Sequence, residues 1–146
     1  APLKEENIKD VIKTSKDARL KNAQIIVTSP YTRALQTASI ISKETGIDIV
    51  VEPDIREWQP DLTYQYKNSE EMKEYYNDYI KNNGIYPTNE KRKWETKEHL
   101  RNRGMSVIDK YKEKYDTIIV VAHKMVFQSI CDCGDMKPAE IFETTF

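Results

Sequence analysis

Three short segments of the chain each run from an apolar stretch into a residue able to handle an anion or a proton. In Thr28-Ser29-Pro30-Tyr31-Thr32-Arg33, serine and proline follow a β-branched run. Ser suits a helix N-cap and Pro the first helical position, so a helix is expected to start there. The free N–H groups and dipole of such a terminus attract anions. Arg33 in the first turn adds a planar, permanently charged fork that matches phosphate oxygens. An arginine on an ordinary exposed helix face fits the same spacing. In Ile55-Arg56-Glu57-Trp58, a carboxyl group stands beside a tryptophan, where its pKa can rise and let it act as a general acid. A solvated loop glutamate is the plainer alternative. In Ile118-Ile119-Val120-Val121-Ala122-His123, a strand-like run ends in a histidine that could hold the oxygens of a transferring phosphoryl group. A capping or core histidine is the competing assignment. His99 lies off the apolar stripe of a polar helix and is assigned to the surface.

The elements around these residues must bring them together. Residues 5–19 have apolar positions at helical spacing, and residues 24–28 form a short buried strand. A helix from Ser29-Pro30 carries Ala34, Leu35, Ala38 and Ile41 on one face and ends at Gly46. Residues 47–52 are a second strand, closed by Pro53. This strand–helix–strand spacing predicts a parallel sheet, and ligands of open α/β sheets bind beyond the carboxyl ends of the strands. Residues 58–94 are polar and aromatic and are expected to be an insertion within one domain spanning residues 1–146. Within them Met72, Tyr75, Tyr76, Tyr79 and Ile80 share a helical face, and Asn68 with Glu71 resembles a capping box. A long helix over residues 95–114 points Leu100, Gly104, Val107, Ile108 and Tyr111 inward. A strand is expected over residues 117–122, a short helix over 125–132 and a final strand over 140–145.

Composition narrows the function classes. Lys+Arg 23 against Asp+Glu 24 leaves a net charge of −1, so no global basic field favours nucleic acid or a membrane. No apolar stretch approaches the ~18 residues that span a bilayer. Cys131 and Cys133 lack the further ligands a metal site needs, so they are assigned as reduced thiols of a cytoplasmic protein. No cofactor or metal is expected.

Taken in order, these segments resemble the histidine phosphatase (phosphoglycerate mutase-like) superfamily. The segment from Ser29 to Ala38 looks like the family's second-arginine motif. Ile55-Arg56-Glu57-Trp58 resembles its acid-bearing loop, and Val120-Val121-Ala122-His123 the strand ending in its second histidine. Pro2-Leu3-Lys4-Glu5-Glu6-Asn7-Ile8 looks like the start of its first helix. The resemblance implies a three-layer α/β/α fold with a mostly parallel sheet. It implies phosphoryl transfer through a phosphohistidine, without metal, by a phosphatase or a mutase. Carried over, Arg33 binds the transferred phosphoryl group, Glu57 gives a proton to the leaving oxygen and His123 flanks the phosphoryl group. The expected partner is a phosphorylated small molecule or phosphate itself.

Two departures from the family pattern shape the expectations. The family opens with a strand ending in Arg-His-Gly, whose histidine is the nucleophile, and residues 1–146 contain no such sequence. Where the family usually has glycine after its second histidine, this chain has Lys124, whose ammonium could add to anion binding or crowd the pocket. The expectation is a family fold that binds phosphate but cannot perform the covalent step, the alternative being a non-catalytic phosphate-binding or interaction module. With the first strand missing, one edge of the strand at 117–122 is expected to be covered by residues 140–145 or by a second copy of the chain in a homodimer.

Overall fold

The computed structural model describes residues 1–146. Its sheet is built on β1 (Ile25–Thr28), a strand of four buried residues. Both neighbours, β2 (Ile49–Val51) and β3 (Ile118–Val121), run parallel to it, in the order β2-β1-β3. Thr28 lies opposite Val51 on one side and Val121 on the other, so the three carboxyl ends finish level. The ladder continues one step beyond β1: Glu52 N–H donates to the Thr28 carbonyl at 2.8 Å, and Ser29 N–H to the Val121 carbonyl at 2.9 Å.

Alternation along β1 divides the core into two layers. Ile25 and Val27 pack with Ile55, Trp58, Leu100, Val107, Tyr111 and Val126 on one face. Ile26 packs with Leu20, Ala34, Ala38, Ile41 and Val121 on the other. Helices α1 (Glu5–Ser15) and α2 (Thr32–Thr45) lie on the second face, while α4 (Lys97–Lys112) and α5 (Lys124–Ile130) cover the first. This is the expected three-layer α/β/α arrangement, with an all-parallel open sheet and five helices.

Helix α1 stops at Ser15, short of the expected residue 19, because Asp17 turns its carboxylate onto Arg19 N–H and starts a 3-10 turn, Ala18–Leu20. The start of α2 is also displaced. Its N-cap is Tyr31, not Ser29, because Ser29 still belongs to the ladder and its hydroxyl is engaged elsewhere. Gly46 ends α2 in the left-handed region at φ 75°, as its position predicts.

The aromatic segment folds around α3 (Ser69–Lys81), and its capping box forms in part, the return bond going to Lys67 N–H and not to the N-cap Asn68 N–H. Asn68 accepts from Glu71 N–H at 2.9 Å, and Glu71 accepts from Lys67 N–H at 2.6 Å. Only part of the expected apolar face is covered. Tyr79 is buried in a chain of tilted and edge-on rings running Trp58–Tyr79–Trp94–Tyr86, while Tyr76 and Ile80 remain 42% and 52% exposed. Asp78 locks the segment, accepting from Trp94 Nε1 at 2.8 Å and Arg92 Nε at 2.9 Å.

The expected strand over 140–145 does not form. A turn with Ala139 at φ 62° precedes it, and the Thr14 hydroxyl of α1 donates to the Ala139 carbonyl at 2.6 Å. This turn and bond carry the segment past α1, and Ile141 packs on the sheet layer. The edge of β3 away from β1 carries no strand.

The five inward residues of α4 are all buried, and Gly104 faces Val126 and Ile130 of α5. A Cβ there would lie 3.0 Å from Ile130 Cγ2 and 3.7 Å from Val126 Cγ1. Gly104→Ala is expected to be near neutral in urea unfolding. The small overlap at a side-chain end is offset by about 1 kcal/mol of helix propensity. Gly104→Val, which adds two further carbons at the same contact, is expected to lose about 1–3 kcal/mol. Equal stability of the two variants would show that α5 is not seated tightly on α4.

Candidate active site

The level carboxyl ends of β1, β2 and β3 set Ser29, the Glu57 loop and His123 around one point. Pro53 opens a 3-10 turn (Pro53–Ile55) after β2, and the fully buried Ile55 anchors it to the core. Glu57 follows with its side chain 29% exposed. Its Oε1 accepts from Trp58 N–H at 3.0 Å, which turns the other oxygen toward α2. There Arg33 Nη2 stands 3.3 Å from Glu57 Oε2 and 3.2 Å from His123 Nδ1, and Glu57 Oε2 is 3.5 Å from His123 Nδ1. Arg33, Glu57 and His123 therefore meet at a single place, as their positions at the ends of the strands predict.

The fourth candidate, Lys124, is the first residue of α5, and its ammonium pairs with the exposed Asp135 instead of joining the three. His99 lies apart as expected, its half-exposed ring donating from Nδ1 to the buried Glu95 carboxylate at 2.7 Å.

Proton positions follow from the partners. Arg33 can only donate, so His123 Nδ1 accepts. The proton of the neutral ring is then on Nε2, which donates to the Ser29 hydroxyl at 2.7 Å. Tyr31 packs its ring edge-on to the imidazole, with centroids 5.3 Å apart, and its N–H donates to Ser29 Oγ at 3.3 Å. Burial first, then the charges of Arg33 and Arg103, push His123 down to about 4. Its ring is thus neutral near pH 7. Glu57 moves the other way. Burial raises its carboxyl above the usual range, against the lowering pull of Trp58 N–H, Arg33 and Arg103.

Four residues of this centre do not stand out in the sequence. Ser29 looks like a helix cap but orients the imidazole. Gln59 donates from Nε2 to the Glu57 carbonyl at 2.8 Å and to Tyr31 Oη at 3.1 Å, tying the acid loop to α2's cap. Arg103 and Glu95 lie behind the loop, both buried. A charge on the apolar stripe Leu100–Gly104–Val107 is the one signal that could have exposed Arg103, since a buried charge demands a partner.

A guanidinium, a carboxyl and an imidazole that meet at the carboxyl end of a parallel sheet have the chemistry to hold an anion and to pass a proton. The chain belongs to the histidine phosphatase superfamily (branch 1), whose family model matches residues 1–144. Among solved structures, it is similar to Bacillus stearothermophilus YhfR, with 21% identity, a TM-score of 0.70, and coverage of 88% of this chain and 65% of that one. A mycobacterial glucosyl-3-phosphoglycerate phosphatase has 16% identity and a TM-score of 0.68, with the same coverage, 88% and 65%. The alpha-ribazole phosphatase of Shigella flexneri has 18% identity and a TM-score of 0.64, covering 87% and 65%. The chain thus spans about two thirds of the length of these structures, and at these identities the likeness is one of fold. No curated protein matches the chain.

The His123 environment predicts a specific pH dependence of stability. A histidine whose folded pKa lies below its unfolded value binds fewer protons when folded. Its contribution is complete above about 6.5 and is lost as pH falls through that value toward about 4. The whole fall is worth roughly 3 kcal/mol at about 1.4 kcal/mol per pH unit. Glu57, raised in the folded state, has the opposite sign and offsets part of it. Urea unfolding of the wild type from pH 7.5 to 4 is expected to show this loss, and His123→Asn a clearly shallower slope. An unchanged slope in the variant would mean that His123 is not held neutral.

Proposed function

We propose that this chain carries the phosphate-ester site of a histidine phosphatase, with Arg33 as the oxygen clamp, Glu57 as the proton donor and His123 as the flanking imidazole. The observation that carries this reading is the meeting of Arg33 Nη2 with both Glu57 Oε2 and His123 Nδ1. With no anion between them, the guanidinium rests on the acid and on the ring. A phosphate takes the guanidinium for itself through paired, charge-assisted hydrogen bonds. Arg33 stands in the first turn of α2, so the dipole of a fourteen-residue helix adds to the attraction of its N-terminus for an anion.

The remaining two groups then change protonation. Released from Arg33, His123 Nδ1 is free to take a proton, and the ring becomes a cation beside the anion. Glu57 keeps its proton to higher pH than an ordinary glutamate because it is buried, and a protonated carboxyl is what a leaving oxygen requires. Lys124 is proposed as a second cation only if it leaves Asp135. It follows His123 directly, and its present partner Asp135 is a surface carboxylate of the kind that is worth little and exchanges readily.

The covalent step is assigned to the family's Arg-His-Gly histidine, and neither histidine of residues 1–146 replaces it. His99 sits on Glu95, and His123 turns its Nδ1 lone pair into Arg33. Residues 1–146 by themselves are therefore proposed to bind phosphate without turning over a phosphate ester. A phosphate-binding module is the reading that remains if binding is found without turnover in every longer form of the protein.

Calorimetric titration of inorganic phosphate into residues 1–146 tests the site. Binding is expected, with uptake of protons from buffer near pH 7. Arg33→Ala should weaken it by about 10–100-fold, the range for a hydrogen bond to a charged group. Lys124→Gly should weaken it less. Wild-type-like binding by Arg33→Ala would remove the clamp from the proposal. Hydrolysis of p-nitrophenyl phosphate should stay at the buffer rate; turnover lost in His123→Ala would show that another residue has become the nucleophile.

A further inference from the structure

The loop bearing Glu57 is held from behind by one side chain that does not touch the anion site. Arg103 points inward from α4 and is 8% exposed. Every one of its donors is used. Nη1 donates to the carbonyls of Asp54 at 2.6 Å and Arg56 at 2.8 Å, and Nη2 to the carbonyl of Glu57 at 3.1 Å. Nε and Nη2 also meet Glu95 Oε1 at 2.6 Å and Oε2 at 2.9 Å, a two-point pairing of fork and carboxylate. Glu95 is completely buried and reaches the same loop from the far side. Its Oε2 accepts from Gln59 N–H at 3.1 Å, and its carbonyl accepts from Trp58 Nε1 at 2.8 Å. Residues 54, 56, 57, 58 and 59 are thus all bonded to one ion pair.

Stability alone does not account for this arrangement. A buried ion pair often contributes no more than well-packed apolar side chains of the same volume. Apolar groups, however, could not gather three carbonyls that converge from one turn. Lysine could not either, having three donors on a point charge where the turn presents a planar fork with five. We propose that Arg103, seated on Glu95, is the positioning residue of the acid loop: it fixes residues 54–59 so that the Glu57 carboxyl meets Arg33 and His123. The proposal takes its chemical meaning from the phosphate-ester reading, but the positioning can be measured without phosphate.

Arg103→Lys isolates position from charge. The variant retains a cation near Glu57, whose other charged or titratable neighbours are Arg33 on α2 and His123 after β3. The first measurement is a carbon NMR titration of the Glu57 carboxyl, identified by its loss in Glu57→Gln. With the loop loosened and opened to water, the midpoint in Arg103→Lys is expected to move down from the wild-type value toward that of an ordinary glutamate. Glu95→Gln, which keeps the size of the partner but breaks the fork, is expected to move it the same way and serves as the test if Arg103→Lys does not fold. The second measurement is inorganic phosphate affinity, expected to fall about tenfold in Arg103→Lys, with no further fall when Arg103→Lys is added to Glu57→Gln. Folded Arg103→Lys or Glu95→Gln with a wild-type Glu57 titration would overturn the proposal, as would an equal loss of affinity in the Glu57→Gln background. A wild type that binds no phosphate would sink the phosphate-ester reading while the Glu57 titration still decides the positioning.

Discussion

The parallel pairing of β1 with both of its neighbours is the constraint from which the rest of the molecule follows. A parallel ladder on both sides leaves β1 no free edge, and the helices that cross over cover both of its faces, so all four of its residues are buried. Parallel strands also cannot be joined by tight hairpins, so each connection must cross a face as a helix. The right register then has a chemical consequence. Thr28, Val51 and Val121 stand side by side, and the chain leaves the sheet at the same height three times. A one-residue slip would turn Ile26 out of its core layer, and it would also carry His123 away from Ser29.

Much of this was legible because the elements that position the site are strongly patterned. The runs Ile25–Thr28 and Ile118–Val121 are short, apolar and β-branched, which few structures other than a buried strand accommodate. Arg33, Glu57 and His123 could be picked out because each follows such a run closely. The failures came where tertiary bonds override a local preference. Ser29-Pro30 has every mark of a helix start, yet the ladder keeps Ser29 and postpones α2 to Thr32. Residues 140–145 have the composition of a strand, but the bond from Thr14 to Ala139 lies 125 residues apart in sequence and left no local trace. In α3, periodicity marked an apolar face correctly but could not show that the neighbouring aromatic rings are too few to cover Tyr76 and Ile80.

The largest gap is the Arg103–Glu95 pair, and the reason is general. Apolar periodicity identifies what the core accepts, while a buried charge is defined by a partner that may come from any distance along the chain. Glu95 precedes α4 and Arg103 lies two turns into it, so they are neighbours across helical spacing, but the three carbonyls they gather are some 46 to 49 residues upstream. Breaking such a pair by removing one member strands a charge in the core, at about 3–5 kcal/mol. Burial pushes Glu95 up, but the hydrogen bonds and charge of Arg103, with His99 and Gln59 behind them, hold its carboxyl below the usual range. It is thus an anion fixed in the interior, and it makes the loop above it rigid.

That rigidity matters because the groups in the site oppose one another. Arg33 favours an ionised Glu57 and a neutral His123, whereas a bound phosphate favours a protonated Glu57 and a charged His123. Neither protonation change is large if the carboxyl and the ring can drift into water when the guanidinium leaves. Held in place, they must answer the incoming charge by moving protons instead of atoms. His123 is confined by the Ser29 hydroxyl and the edge of Tyr31, and Glu57 by Trp58 N–H in front and Arg103 behind. Burial thus lets Glu57 hold its proton to higher pH than an ordinary glutamate, and Arg103 behind the loop keeps the carboxyl in place without touching Arg33 or His123.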